Sequence, residues 1–164
     1  MRLPGELKGL DGLIIPGGES TTISRLMESY SLVTEINKLV DKGMPLFGTC
    51  AGMIMLAKNI SGNTMHTLGL MDITVKRNAF GRQVDSFETE LNIPALGKES
   101  FPAVFIRAPI IEKYAKSVEV LAKLENGSIV AARQGKMLAT AFHPELTEDL
   151  RFHRYFLDII SGKK

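Results

Sequence analysis

The only cysteine of the chain, Cys50, lies in Gly48-Thr49-Cys50-Ala51-Gly52, directly behind the apolar run Met44-Pro45-Leu46-Phe47. Small residues around a strand-to-helix turn lift one side chain into the open and aim it at a helix N-terminus, the geometry of a nucleophile elbow. Unpaired N–H groups and the positive end of the helix dipole favour a thiolate there over a thiol. Much further on, His143-Pro144-Glu145 supplies a base and a carboxylate. Residues two apart on an extended segment point the same way, and Pro144 restricts the backbone between them. If Glu145 takes one ring nitrogen, the other is left for the thiol proton, so Cys50, His143 and Glu145 form a candidate triad. Taken singly, each has a plainer reading: a lone cysteine is usually buried core, and His-Pro-Glu is usually a surface turn. Together they argue for nucleophilic catalysis.

Other residues could serve that chemistry. Pro16-Gly17-Gly18-Glu19 follows an apolar run and precedes a helical pattern. Its glycines permit unusual backbone angles, so an N–H of this loop, with that of Ala51, could hold the oxyanion of a tetrahedral intermediate. The same spacing fits a plain tight turn equally well. A phosphate cradle is the weaker alternative, because the dinucleotide and Walker patterns are both missing. Arg107, at the end of an apolar strand, could grip a carboxylate with a planar guanidinium, although for Arg107 or Arg77 taken singly an ordinary surface ion pair is the plainer reading. His66 and His153 are expected at the surface, His153 on the polar side of the last helix. No His, Cys or carboxylate cluster has metal-ligand spacing, so neither a metal nor a resident cofactor is expected. Met53, Met55, Met65 and Met71 read as core filler.

These residues need elements to position them. Leu13-Ile14-Ile15 reads as a buried parallel strand stopped by Pro16-Gly17-Gly18. A helix opens at Glu19–Thr22 with Ile23, Leu26, Met27 and Tyr30 on one face. A second runs through Val33, Ile36, Leu39 and Val40 and closes at Lys42-Gly43. The strand Met44–Phe47, the Cys50 turn and a helix over Met53–Lys58 follow. This alternation predicts an α/β sheet with helices on its faces. From about Leu70 the period changes to two, predicting strands at 71–75, 87–91, 103–106, 118–122, 128–132 and 137–142. Asn126-Gly127 marks a hairpin. A last helix spans about 149–160, its apolar face formed by Leu150, Phe152, Phe156, Leu157, Ile159 and Ile160, with Glu148 and Asp149 at its positive end.

The 164 residues suffice for one domain over 1–164 that buries about two-thirds of its unfolded surface. Twenty basic and 18 acidic residues give a net charge of +2, spread along the chain, which argues against a nucleic-acid footprint. One cysteine excludes an internal disulfide and suits a reducing cytoplasm. No apolar run reaches about 18 residues, and the first residues lack a signal peptide's apolar core, so no membrane partner is expected.

Five blocks in order carry a resemblance: Pro16-Gly17-Gly18-Glu19-Ser20-Thr21-Thr22, Gly48-Thr49-Cys50-Ala51-Gly52, Arg77-Asn78-Ala79-Phe80-Gly81-Arg82-Gln83, Phe105-Ile106-Arg107-Ala108-Pro109 and His143-Pro144-Glu145-Leu146. The chain resembles the glutaminase subunits of pyridoxal 5′-phosphate synthases, which are class I (triad) glutamine amidotransferases. The resemblance implies a flavodoxin-like three-layer sandwich and hydrolysis of L-glutamine to glutamate and ammonia through a cysteine thioester. It implies Cys50 as nucleophile, His143 as proton carrier and Glu145 as its orienting group. Gly18, Glu19, Ser20, Arg77, Ile106 and Arg107 match the family's glutamine-binding positions, with the Gly18 and Ala51 N–H groups at the oxyanion. The ammonia acceptor would be a separate synthase subunit that makes the vitamin B6 cofactor. Members of this family begin with a further strand and helix ahead of the segment matching Leu10–Leu13, where only nine residues stand here. The expected fold is therefore that sandwich without its first strand and helix. A glutaminase serving another synthase, and a catalytically silent regulatory subunit, are the competing readings.

Overall fold

The computed structural model describes residues 3–81 and 85–164. Its main sheet is built around three mutually parallel strands, β1 (Leu13–Ile15), β2 (Leu46–Thr49) and β10 (Met137–Thr140), with β2 in the middle. The sheet continues through β9 (Ile129–Gln134), β7 (Ile110–Tyr114), β4 (Met71–Lys76) and β3 (Ala57–Ile60), while β8 (Glu119–Lys123) pairs with β9. β9 is antiparallel to β10, β8 and β7, so the sheet is mixed. A separate two-stranded ribbon joins β5 (Ser86–Leu91) to β6 (Phe101–Ile106).

Successive residues of a strand face opposite sides, and β2 shows how both sides are covered. Phe47 points to α4 (Arg151–Ile160), where its ring centroid lies 6.3 Å from Phe152 and 5.5 Å from Phe156. Gly48 points the other way, against the backbone of α3 (Ala51–Leu56). Helix α3 also packs on α1 (Ser20–Ser29), which carries α2 (Leu32–Asp41) beside it. The layers are thus helix, sheet, helix. All eight phenylalanines belong to one connected set of ring contacts, from Phe156 and Phe47 through Phe152, Phe101 and Phe142 to Phe105, Phe87 and Phe80.

Several expected details differ. On α1 the buried residues are Ser20, Ser24 and Met27, while Leu26 and Tyr30 are exposed. The Ser24 hydroxyl donates to the His66 carbonyl at 2.7 Å, so a polar residue occupies a face that the apolar pattern assigned elsewhere. Leu150 and Leu157 of the last helical segment are exposed, and Tyr155 takes an inward place beneath the Arg133 guanidinium. Helix α3 stops at Leu56 rather than at Lys58, and the chain goes directly into β3, whose first two residues fall within the predicted helix. β7, with only Ile111 buried, also lacked a legible alternation. The hairpin at Asn126-Gly127 is present: Gly127 sits at φ +83°, and the Asn126 side chain accepts from the Ser128 N–H at 3.0 Å. Met53, Met55 and Met71 are buried core.

Candidate active site

The carboxyl ends of β1, β2 and β10 lie along one edge of the sheet and release three loops. Such an edge is where open α/β sheets bind ligands. β1 leads into Pro16–Glu19, β2 into Cys50 and β10 into His143–Glu145. The Cys50 N–H donates to the Thr140 carbonyl at 2.8 Å, which ties the ends of β2 and β10 together.

Cys50 sits between strand and helix at φ 51°, ψ −106°, a region side-chain-bearing residues seldom occupy. The turn is possible because its neighbours have no side chains. A Cβ on Gly48 would come within 2.5 Å of the Gly52 backbone, and one on Gly52 within 1.9 Å of the Ile15 carbonyl oxygen. Backbone therefore packs on backbone across the elbow. Two more residues on the same cleft, Asn78 and Arg107, also have positive φ (47° and 43°). Three of the four such non-glycine residues among those described line this one cleft. Strained backbone gathers where function is performed.

His143 and Glu145 meet by a route different from the one expected. The segment after His143 is a 3-10 turn over Pro144–Leu146 rather than an extended strand, closed by the Leu146 N–H donating to the His143 carbonyl at 3.2 Å. The turn brings the Glu145 carboxylate to 2.8 Å from His143 Nδ1. The other ring nitrogen is left for Cys50. The Cys50 thiol also lies 3.7 Å from the Ile106 carbonyl. The hydrogen bond with Cys50, then that with Glu145, push the His143 pKa up from 6.5 to about 9, against the opposing effect of burial. Burial works to raise the Glu145 pKa, but its hydrogen bond with His143 leaves it below the ordinary carboxylate range. Near neutral pH this geometry holds an imidazolium between a carboxylate and a sulfur.

A cleft of about 470 Å³ opens over Cys50. Gly18, Glu19, Ser20, Ala51, Arg77, Ile106 and Arg107 line it together with Cys50 and His143, and Glu145 stands behind the imidazole. Glu19 has a structural task as well. Its carboxylate caps α1, accepting from the Thr21 and Thr22 N–H groups at 3.1 and 2.6 Å, which lowers its pKa to about 2. One oxygen also meets the Arg77 guanidinium at 3.5 Å. The volume suits a small amino acid, and two arginines beside a thiol suit one that carries a carboxylate.

The sequence model of the SNO glutamine amidotransferase family matches residues 1–161. The chain belongs to that family. A relative from Herpetosiphon aurantiacus, a pyridoxal 5′-phosphate synthase subunit PdxT, is 59% identical over 97% of this chain and 85% of its own length. One of the same name from Moorella thermoacetica is 57% identical over 98% and 85%. A crystal structure of a glutamine amidotransferase superposes with a TM-score of 0.93 at 52% identity, covering 98% of this chain and 85% of the other. A putative GMP synthase subunit from Thermoplasma acidophilum, 18% identical with a TM-score of 0.67 over 98% and 77%, shares the fold.

Within this amidotransferase the cleft includes two residues beyond the predicted site set, Ile54 and Asn78. Asn78 stood in a quoted block, and asparagine's tolerance of positive φ is the signal that could have marked it. Arg82 and Gln83 of that block lie outside the described residues. His66 is exposed, 3.8 Å from Glu28. His153 is not the surface residue expected: it is half-buried with its ring edge on Phe47, and its buried Nδ1 has no hydrogen-bond partner among the described residues. The contact with Phe47 draws the imidazole inward on a helix face whose pattern had read as polar.

Proposed function

We propose that Cys50, His143 and Glu145 hydrolyse the side-chain amide of L-glutamine, giving glutamate and ammonia. The chain is the glutaminase subunit of a pyridoxal 5′-phosphate synthase, and its ammonia passes to the synthase subunit. The observation that carries the mechanism is the imidazole held between the Glu145 carboxylate and the Cys50 sulfur at the floor of the cleft.

Cys50 Sγ attacks the amide carbon, the C–S bond forms, and the carbonyl electrons move onto oxygen. The N–H of Ala51, at the start of α3 where no helical carbonyl precedes it, and that of Gly18 receive this oxyanion. His143 holds the proton near neutral pH and gives it to the departing nitrogen as the C–N bond breaks, leaving ammonia and a glutamyl thioester. The neutral imidazole then takes a proton from water as the water oxygen adds to the thioester carbon. Collapse of that second intermediate breaks the C–S bond and restores the thiolate–imidazolium pair with glutamate. Glu145 holds Nδ1 throughout and keeps the working nitrogen aimed at sulfur. Arg77 and Arg107 bind the substrate α-carboxylate, and Glu19, Ser20 and Ile106 complete the glutamine pocket. The work is placed in the cytoplasm, where the free thiol stays reduced.

The test is glutamate release from glutamine by the chain together with its synthase partner, compared with Cys50→Ala. Loss of release in the variant is expected. Undiminished release would refute the nucleophile assignment.

A further inference from the structure

The geometry points to Gly17 as a positioning residue for the general acid–base of this site: its bare α-carbon is the backstop against which the His143 imidazole rests. This builds on the assignment of His143 as proton carrier and adds a contact from a different loop.

A Cβ placed on Gly17 would lie 2.3 Å from His143 Cε1, 3.1 Å from Nδ1 and 3.3 Å from Nε2. Cε1 is the ring carbon between the two nitrogens. The glycine therefore faces the imidazole along the line that bisects its two hydrogen-bonding directions. Glu145 restrains one side at 2.8 Å, Cys50 takes the other, and Gly17 closes the remaining direction in the ring plane. No left-handed backbone angle calls for glycine here: Gly18 has φ +144°, whereas Gly17 has no positive φ. The missing side chain at Gly17 is thus required by the imidazole and not by the turn.

The backstop is itself held. Two residues earlier, the Ile15 carbonyl and side chain press on Gly52 of α3, where no Cβ could fit. Two residues later, the Glu19 carboxylate is fixed to the first turn of α1 and to Arg77. The loop between has little room to retreat. An added methyl must move the ring by about 1 Å to reach the 3.4 Å of ordinary contact. A movement of that size parts the ring from Glu145 or from Cys50.

Gly17→Ala is the test, with Gly5→Ala, whose new methyl meets none of the described residues within 4 Å, as the control. The first readout is the rate of Cys50 alkylation by iodoacetamide from pH 5 to 10, which needs neither glutamine nor partner. Gly17→Ala is expected to shift this profile in the same direction as His143→Ala, toward that of an unassisted thiol, while Gly5→Ala should leave it unchanged. The second is glutaminase turnover with the synthase partner, where kcat should fall about 100-fold with KM changed by less than about threefold. The third is thermal stability in two backgrounds. Gly17→Ala should lower Tm in the wild type and do so much less in His143→Ala, where no ring meets the methyl.

A wild-type alkylation profile in Gly17→Ala, or an equal loss of Tm in both backgrounds, would overturn the assignment. If His143→Ala itself left both the alkylation profile and turnover unchanged, the triad would be the part that failed.

Discussion

Replacing Glu145 by glutamine removes the charge from the hydrogen bond to His143 while keeping its shape. The raised His143 pKa, about 9 against 6.5, corresponds to roughly 3 kcal/mol of preferential stabilisation of the imidazolium in the fold. The Cys50 contact contributes the larger part, Glu145 the next, and burial subtracts from both. The Glu145 share is therefore about 1 kcal/mol. Because the folded pKa lies above the unfolded one, the stabilisation is fully present below pH 6.5 and is lost as pH rises through about 9. Glu145, with its pKa held below the ordinary carboxylate value, is ionised across this window. Urea denaturation of wild type and Glu145→Gln at pH 6 and pH 10 should show a stability gap about 1 kcal/mol wider at pH 6. A gap of the same size at both pH values, or one that widens at pH 10, would refute the charge-pair account of the triad.

Two further outcomes are expected. Phe152→Ala removes the fully buried ring that joins Phe47, Phe101 and Phe142 and should cost about 3–5 kcal/mol by urea denaturation; a loss below about 1 kcal/mol would contradict its central place. Arg77→Ala should raise KM for glutamine about tenfold or more while changing kcat little, as expected for a charge-assisted contact to a part of the substrate that does not react. An unaltered KM would remove Arg77 from the pocket.

The parts of this molecule that depend on spacing were legible in its sequence. The alternation of Leu13–Ile15 and Met44–Phe47 with helical patterns announced the sheet, and Gly48, Gly52 and the apolar run announced the elbow. What escaped was set by contacts between distant segments. Ser24 faces inward because a carbonyl 42 residues away accepts a hydrogen bond from its hydroxyl, and no local pattern encodes that. β3 follows α3 without a break, and the Ala57-Lys58 that opens it continues the helical pattern of Met53–Leu56. His143 and Glu145 were paired correctly in the sequence but for the wrong local reason: the 3-10 turn, not an extended strand, makes them adjacent. The positive φ of Asn78 and Arg107 is likewise invisible until the chain is folded.

The connected phenylalanine rings have a consequence for how activity is lost. Three arms of the site grow from members of that network: Phe47 precedes Cys50 by three residues, Phe142 immediately precedes His143, and Phe105 precedes Arg107 by two. The proposed nucleophile, the proposed base and Arg107 are consequently anchored in the same hydrophobic mass rather than on independently loosening flaps. On heating, the site is therefore expected to have no melting temperature of its own: these arms should lose their alignment when the aromatic interior gives way, and inactivation should follow the global transition instead of running ahead of it.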